Sequence, residues 1–553
     1  MAFQKENKTY NARPKRAGDG AMSARYTKRK QADAQEEKKT RAAGAKKESA
    51  AQGKKPAAKR AAAAAKEKPP AKKPPARAAE KAKERTAEKP AAKAPVRRAA
   101  MATKTEAERA KEKKMREPGR MRREKKRMEA QMRDRRRAVS RGVDMCVTAI
   151  VLLTALFIAG ALLLAAVRTP GTTDTQAVYL LCMMVPAGIL VTLALPRMLP
   201  IDPLIMALTH FLCGTGVVIL YTVSPERGLR QANYYVIGLM AMIIMSLIVS
   251  KKRRFKGLTV FSMLLGVGAL ILPLAFGQWS GGAKNWVSIP FFGSFQPSEL
   301  VKLSLVLAMA YYFSAHRTVF QMMPAILFAG ACLLLLMLQR DLGTALIYYM
   351  TTLVMFYVAC GNVPLTAIGL AGGAGAAVMG YKMFAHVKVR VAMWRNPWSD
   401  PLDKGYQIIQ ALLAIGSGGL FGVGLGQGAP EKIPAYFNDF IFAVICEQLG
   451  IVFGILLLVV YVIIVLRGVT IISRSRRSFD MLLGCGVLAM LAIQTVMIVG
   501  GVIKMLPLTG VTMPFISYGG SSLLSCLCMV GILHGICARA QEDMEEDVLS
   551  VKG

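Results

Sequence analysis

From residue 144 to residue 538 the chain is a succession of apolar runs, most of them near 20 residues long, and this restricts the possible folds more than any other feature. The hydrocarbon layer of a bilayer takes about 20 apolar residues of helix to cross, and a helix satisfies its own backbone there. The runs predict helices over 144–167, 176–195, 203–222, 231–250, 257–276, 299–315, 321–338, 342–360, 364–384, 438–466, 480–503 and 513–538. The expected fold class is therefore an all-α polytopic membrane protein with about twelve transmembrane helices.

Charge is concentrated ahead of these runs. The chain holds 73 Lys+Arg against 34 Asp+Glu, and residues 1–141 contain 47 of the former and 17 of the latter, so the segment carries +30 of the total +39. It is built of Ala, Lys, Arg, Pro and Glu, with too few large apolar side chains to offset the entropy of ordering a chain. We read 1–141 as a disordered basic cytoplasmic tail that sets topology and contacts anionic membrane lipids. A polybasic tail also neutralises nucleic-acid phosphates, but no aromatic stacking pattern accompanies the charge, and nucleic acid is disfavoured as a partner. The first apolar run starts too late for a signal peptide.

Basic residues flanking the spans give the orientation. The tail, Lys251-Lys-Arg-Arg-Phe-Lys256, His316-Arg317, and Arg467 with Arg474-Ser-Arg-Arg477 all fall on one side. With that side inside, both termini are cytoplasmic. The expected organisation is then a tail (1–141), two further N-terminal helices (142–200), a membrane core (201–540) with an extracellular loop at 385–437, and a short cytoplasmic end (541–553). Segments 279–298, 340–341, 385–437 and 506–517 share the outer face.

The chemistry collects on that face. Lys284-Asn-Trp286 leads to Phe295-Gln-Pro-Ser-Glu-Leu-Val-Lys302, where Glu299 and Lys302 lie i,i+3 on one helical face, as a structural pair or as substrate-positioning groups. Asp341, in Gln339-Arg340-Asp341-Leu-Gly343-Thr344, suits either a helix cap or a substrate contact. The loop 385–437 is longer than structureless loops usually are. It carries Lys388, Arg390, Arg395 and Lys404 against the positive-inside trend, which points to an anionic ligand such as a pyrophosphate or to lipid headgroups. Asp439 opens the next helix beside Phe440 and Phe442, where desolvation raises a carboxyl toward general-base range; a simple cap is the other reading. Glu447 follows within the membrane. Pro507 to Ser522 interrupts a helix with backbone and hydroxyls, among them Ser517 and Ser521, that suit a polar ligand. Most of the ten cysteines sit in apolar runs without zinc-site spacing, and His210, His316 and His534 read as packing or interfacial residues.

These motifs, in this order, resemble the SEDS family, which includes FtsW, RodA and SpoVE: Trp286…Phe295-Gln-Pro-Ser-Glu-Leu-Val-Lys302, Asp341-Leu-Gly-Thr344, Gly405-Tyr-Gln407, Asp439-Phe-Ile-Phe-Ala443 and Pro514-Phe-Ile-Ser-Tyr-Gly-Gly-Ser-Ser522. The resemblance covers roughly residues 203–540. It implies a ten-helix core that polymerises peptidoglycan glycan strands from lipid II outside the bacterial cytoplasmic membrane, beside a class B penicillin-binding protein and other division or elongation proteins. The helices at 144–195 are additions ahead of that core.

Carried over by residue, the resemblance makes Asp439 the catalytic base for the acceptor hydroxyl. It matches Glu299 and Lys302 to the family's pair in the same motif; Lys388, Arg390 and Arg395 as pyrophosphate partners, and Lys404, Trp286, Ser517 and Ser521 as further substrate-binding candidates, are our own inference. Two departures stand out: Pro434-Ala-Tyr-Phe-Asn-Asp439 lacks the Glu and His many relatives have there, and Gln-Arg-Asp replaces the commoner Gln-Pro-Asp at 339–341. No cofactor is implied with certainty; a divalent cation (Mg or Mn) at the pyrophosphate is chemically reasonable, without a ligand cluster behind it. A lipid II flippase and a non-catalytic scaffold are the competing readings.

Overall fold

A computed structural model of the chain describes residues 145–167, 174–252, 255–280, 282–289, 293–315 and 319–550. The basic segment 1–141 lies outside them. The elements run α1 (Met145–Val167), α2 (Thr175–Met198), α3 (Pro203–Val223), α4 (Pro225–Lys251), α5 (Lys256–Phe276), β1 (Gln278–Ser280), β2 (Ala283–Ile289), β3 (Gly293–Phe295), α6 (Pro297–Ala315), α7 (Val319–Leu338) and α8 (Leu342–Cys360). They continue with α9 (Val363–Met383), α10 (Ala385–Arg395), α11 (Tyr406–Gly418), α12 (Ile441–Ile472), α13 (Ser478–Val502) and α14 (Gly520–Ser550).

Each of the twelve expected helices is present. Among the described residues, eleven are long and apolar enough to cross a membrane. The twelfth, α6, is shifted toward polarity by Ser298, Glu299 and Lys302, all of them buried. Helix starts follow local chemistry: Asp202 accepts the Ile205 N–H ahead of Pro203, and Asn362 accepts the Leu365 N–H ahead of α9. Gly361 ends α8 in the left-handed conformation at φ 62°. In α2, Pro196 removes an amide and crowds the preceding turn, and the ladder opens into a π turn over Leu190–Ala194.

Burial sorts the helices. The faces of α3, α13 and α14 are mostly covered, whereas α9 buries none of its residues. α14 lies along α4 through Gly531 and Gly535, one turn apart: a Cβ at Gly531 meets the Met242 carbonyl at 2.4 Å, and one at Gly535 meets the Ser246 carbonyl at 2.8 Å. This is close backbone approach through small residues, the usual device where lipid removes the hydrophobic drive between helices. α1 docks through Phe157 on Phe211 and Phe453, and α2 lays Gly188 on the His210 ring of α3.

Two features depart from the sequence expectation. Segment 278–295 forms a small antiparallel sheet in the order β1-β2-β3, with Gln278 opposite Trp286 and Val287 opposite Phe295, where the sequence reading has an outer-face connection without strands. The segment 385–437 is not one long loop: it holds α10, a 3-10 turn at Pro397–Ser399, and α11. α11 and the turn after it insert into a break in α12, where Gly450 is non-helical at φ 87° and ψ 166°. Val423 and Gly424 donate their N–H groups to the carbonyls of Glu447 and Gln448 at 2.9 and 3.1 Å, and the N–H of Ile451 reaches the Gly419 carbonyl at 3.0 Å. The backbone groups freed by the break are re-satisfied by the inserted loop, as a membrane interior requires. Glu447 joins in, its Oε1 accepting the Ala429 N–H at 3.0 Å.

The chain's ends of helix collect in two polar layers. In one, Arg467 pairs with Asp202 at 2.7 Å, Arg539 with Asp480, and Arg477 with Asp543. The other layer is formed by the sheet, the α7–α8 turn, α10 and segments 434–440 and 503–519.

Candidate active site

The second layer is built around a broken piece of chain. Residues 503–519, between α13 and α14, are held by side chains from α4, α10, α12, α13 and α14. Gln231 of α4 donates to the Ser517 carbonyl at 3.1 Å and accepts the Gly519 N–H at 3.2 Å. Gln494 of α13 donates to the Thr512 carbonyl at 2.8 Å, and its own oxygen receives Lys302 Nζ of α6 at 2.9 Å. Lys302 also pairs with Glu299 at 2.8 Å, with both residues at 4% exposure or less. The Thr512 and Ser522 hydroxyls are 2.7 Å apart. Glu299 and Lys302 thus spend these contacts on the protein, bracing the broken segment; burial is tolerable because the charges are paired and hydrogen-bonded.

The braced segment in turn fixes the approach to α12. Ser517 donates its hydroxyl to the Asn438 carbonyl at 2.7 Å, and the Tyr518 N–H reaches the Phe437 carbonyl at 2.9 Å. From the other side, Arg227 of α4 donates to the Tyr436 hydroxyl at 2.8 Å and sits 4.0 Å over the Phe437 ring. Asp439 is therefore pinned through both preceding residues, with Phe440 behind it fully buried.

Gly510 brings two charged side chains together. A Cβ there falls 3.6 Å from Asp439 Oδ2 and 3.7 Å from Arg390 Nη2, so carboxylate and guanidinium flank one glycine, itself at φ +75°. Arg390 is anchored by Nη1, which donates to the carbonyls of Leu508 and Thr509 at 3.3 and 3.0 Å. Among the described residues the ion pairs do not include Asp439 with Arg390. The Thr509 hydroxyl and Asn438 Oδ1, each next in sequence to a residue of this cluster, are buried without a partner, a condition that buried polar atoms rarely keep unless something else satisfies them.

Asp341 stands on the third side. Its Oδ1 accepts the Thr344 N–H at 3.1 Å, so it caps α8, and its Oδ2 accepts Asn285 and Gln296 at 2.7 and 3.1 Å. Burial pushes the half-buried Asp439 carboxyl up from the usual carboxylate range to about 6; Arg390 opposes this and the Asp341 charge adds to it. A carboxylate at that value is a competent base near neutral pH.

Of the cations anticipated from sequence, Arg390 alone is placed beside Asp439; Lys388, Arg395 and Lys404 are exposed. Trp286 lies half-buried on β2, and Ser521 is buried in the first turn of α14. Arg227, Gln231, Gln494, Thr509 and Gly510 were not singled out in sequence; the interrupted helix at 507–522 was the only signal for the last two. Among the described residues no three His, Cys, Asp or Glu side chains converge as a metal-binding set.

Comparison with known proteins agrees with this architecture. The FtsW/RodA/SpoVE family model, described as "Cell cycle protein", matches residues 203–542, beginning at the first residue of α3. Peptidoglycan glycosyltransferase RodA of Mycobacterium tuberculosis (strain ATCC 25618 / H37Rv) is 33% identical over 383 residues, covering 64% of this chain and 81% of that protein. Stage V sporulation protein E of Bacillus subtilis (strain 168) is 33% identical over 356 residues, covering 61% and 96%. A solved structure titled "Structural coordination of polymerization and crosslinking by a peptidoglycan synthase complex" superimposes with a TM-score of 0.52 and 25% identity, over 62% of this chain and 98% of that one. By the family match across most of its length, the chain belongs to the FtsW/RodA/SpoVE family of cell-cycle proteins.

Proposed function

We propose that this protein is a peptidoglycan glycosyltransferase that polymerises lipid II into glycan strands at the outer face of the bacterial cytoplasmic membrane. The observation that carries the reading is the juxtaposition at Gly510: a half-buried carboxyl titrating near 6 beside an arginine with which it forms no ion pair. Relatives named as peptidoglycan glycosyltransferases, and a structural neighbour described as a peptidoglycan synthase complex, support the same chemistry. In this orientation the layer holding Asp439 faces outward, and the layer of Arg467, Arg477 and Arg539 faces the cytoplasm with both termini.

The reaction needs one base and one charge-stabilising group. Asp439 takes the proton of the acceptor's GlcNAc 4-hydroxyl as that oxygen attacks the anomeric carbon of the donor strand's terminal MurNAc. The bond from that carbon to the diphosphate oxygen breaks, undecaprenyl pyrophosphate departs with the electron pair, and the anomeric centre inverts. Arg390 faces the charge that develops on the leaving group. A single displacement does not require the paired carboxylates of a retaining mechanism. The neighbour's coupling of polymerisation to crosslinking supports a class B penicillin-binding protein as the partner.

The test is polymerisation of lipid II by purified protein reconstituted with its partner. Asp439→Asn is expected to lower strand formation at least a thousandfold while unfolding temperature is kept or raised and partner binding is kept. Wild-type turnover by that variant refutes the mechanism. Lipid II translocation without polymerisation by the native protein indicates the flippase reading instead.

A further inference from the structure

The active-site reading uses Arg390 and leaves two neighbouring basic side chains, His386 and Arg340, without a role. His386 lies one helical turn before Arg390, so the two project from one face of α10, whereas Lys388 between them projects from the opposite, exposed face. Its Nε2 is buried without a hydrogen-bond partner, and Phe384 packs on its ring at 5.5 Å.

Arg340 comes from the α7–α8 turn. It holds φ 61°, a left-handed conformation unusual for a side chain of its size. Two hydrogen bonds lock it there: its own N–H to the Met337 carbonyl at 3.0 Å, and the Asp341 N–H to the Leu336 carbonyl at 2.9 Å. The turn is set against the reaction centre by Gly343, where a Cβ falls 2.6 Å from the Thr509 carbonyl. Arg390 donates to that same carbonyl at 3.0 Å. The turn and α10 therefore converge on one peptide, immediately before Gly510. Both arginines act on His386: burial, then Arg390, then Arg340 hold its imidazole below the usual histidine range.

We propose that Arg340 and His386, with Arg390, form a subsite for the diphosphate of a lipid-linked substrate. Two guanidiniums present planar forks suited to phosphate oxygens, and the neutral imidazole adds a donor at its partnerless Nε2. Three groups from two elements suit the several oxygens of a diphosphate better than the single phosphodiester of a bulk lipid headgroup. Bound diphosphate would offset the field of the two arginines, so binding draws a proton onto His386. The charged groups that act on it are Arg390 from α10 and Arg340 from the turn.

This inference rests on the glycosyltransferase reading, but its test needs no turnover. Farnesyl diphosphate and farnesyl monophosphate are titrated onto the full chain carrying Asp439→Asn, which removes that carboxyl's own titration, in nanodiscs of zwitterionic lipid. Diphosphate is expected to bind at least tenfold tighter than monophosphate. Arg340→Gly relieves the backbone strain, so it should keep or raise the unfolding temperature while weakening diphosphate binding at least tenfold; Arg340→Lys should recover part of the loss. His386→Phe, which keeps a ring and removes the Nε2 donor, should weaken diphosphate binding. Lys382→Ala, an exposed cation at the end of α9, should change affinity less than twofold. The proposal is overturned if Arg340→Gly binds within twofold of its parent, if Lys382→Ala costs as much, or if nanodiscs rich in anionic phospholipid abolish the preference for diphosphate, which would assign the site to headgroups.

Discussion

As the proposed base, Asp439 would trade stability for chemistry. Its carboxyl titrates near 6 in the folded protein against 3.8 for an ordinary aspartate, chiefly because it is buried. Between those values the folded state holds the proton that the unfolded state has lost, so stability falls as pH rises from about 4 to about 6. The difference is worth at most about 3 kcal/mol. Thermal unfolding of the purified protein should show this slope, and Asp439→Asn should lack it. Activity has the opposite sign, because the base must be ionised: polymerisation should be half-maximal near pH 6 and fall about tenfold for each pH unit below. An activity that rises on acidification through that range would remove Asp439 from the role. Asp439 itself, with its phenylalanine neighbours, was legible in the sequence. Its partner was not, since Arg390 was one of four loop cations and only the fold of α10 against 508–509 separates it from the other three.

Among the elements, α6 and the broken segment after α13 are coupled by the chain Glu299–Lys302–Gln494–Thr512. Lys302→Ala leaves Glu299 buried and unpaired and should cost about 3–5 kcal/mol, read as a lower unfolding temperature. The double change Glu299→Gln with Lys302→Met removes both charges together and should recover most of that stability. If the pair only braces the segment, the double variant also keeps polymerisation within about tenfold of wild type; a deeper loss with normal stability would restore a direct substrate role. The i,i+3 spacing made the pair visible in the sequence, but its partner Gln494 lies 192 residues away and no local pattern marks it. The break in α12 was hidden for a similar reason. Gly450 sits in a run apolar enough to read as one helix, and the turn that follows α11 supplies the lost hydrogen bonds from a segment that read as loop.

At the scale of the whole molecule, the bundle is held by close backbone contact rather than by a soluble-type core. Gly531→Leu, which drives a side chain into the Met242 carbonyl, should destabilise by on the order of 3 kcal/mol or more and loosen α4, taking Gln231 and Arg227 away from the site. Gly372→Leu, on the uncovered helix α9 where a Cβ meets nothing within 4 Å, should change stability by about 0.5 kcal/mol or less. Equal losses in the two variants would mean that helix contacts do not decide stability here. The sequence by itself determined the class of fold, the helix positions and the residues rich in chemistry, because bilayer thickness and the cost of unsatisfied backbone act on each segment independently of its neighbours. Which cation meets Asp439, where α12 breaks, and whether a buried ion pair braces or binds were decided only by tertiary structure. Those depend on side chains far apart in the chain competing for the same few carbonyls, and local periodicity carries no record of that competition.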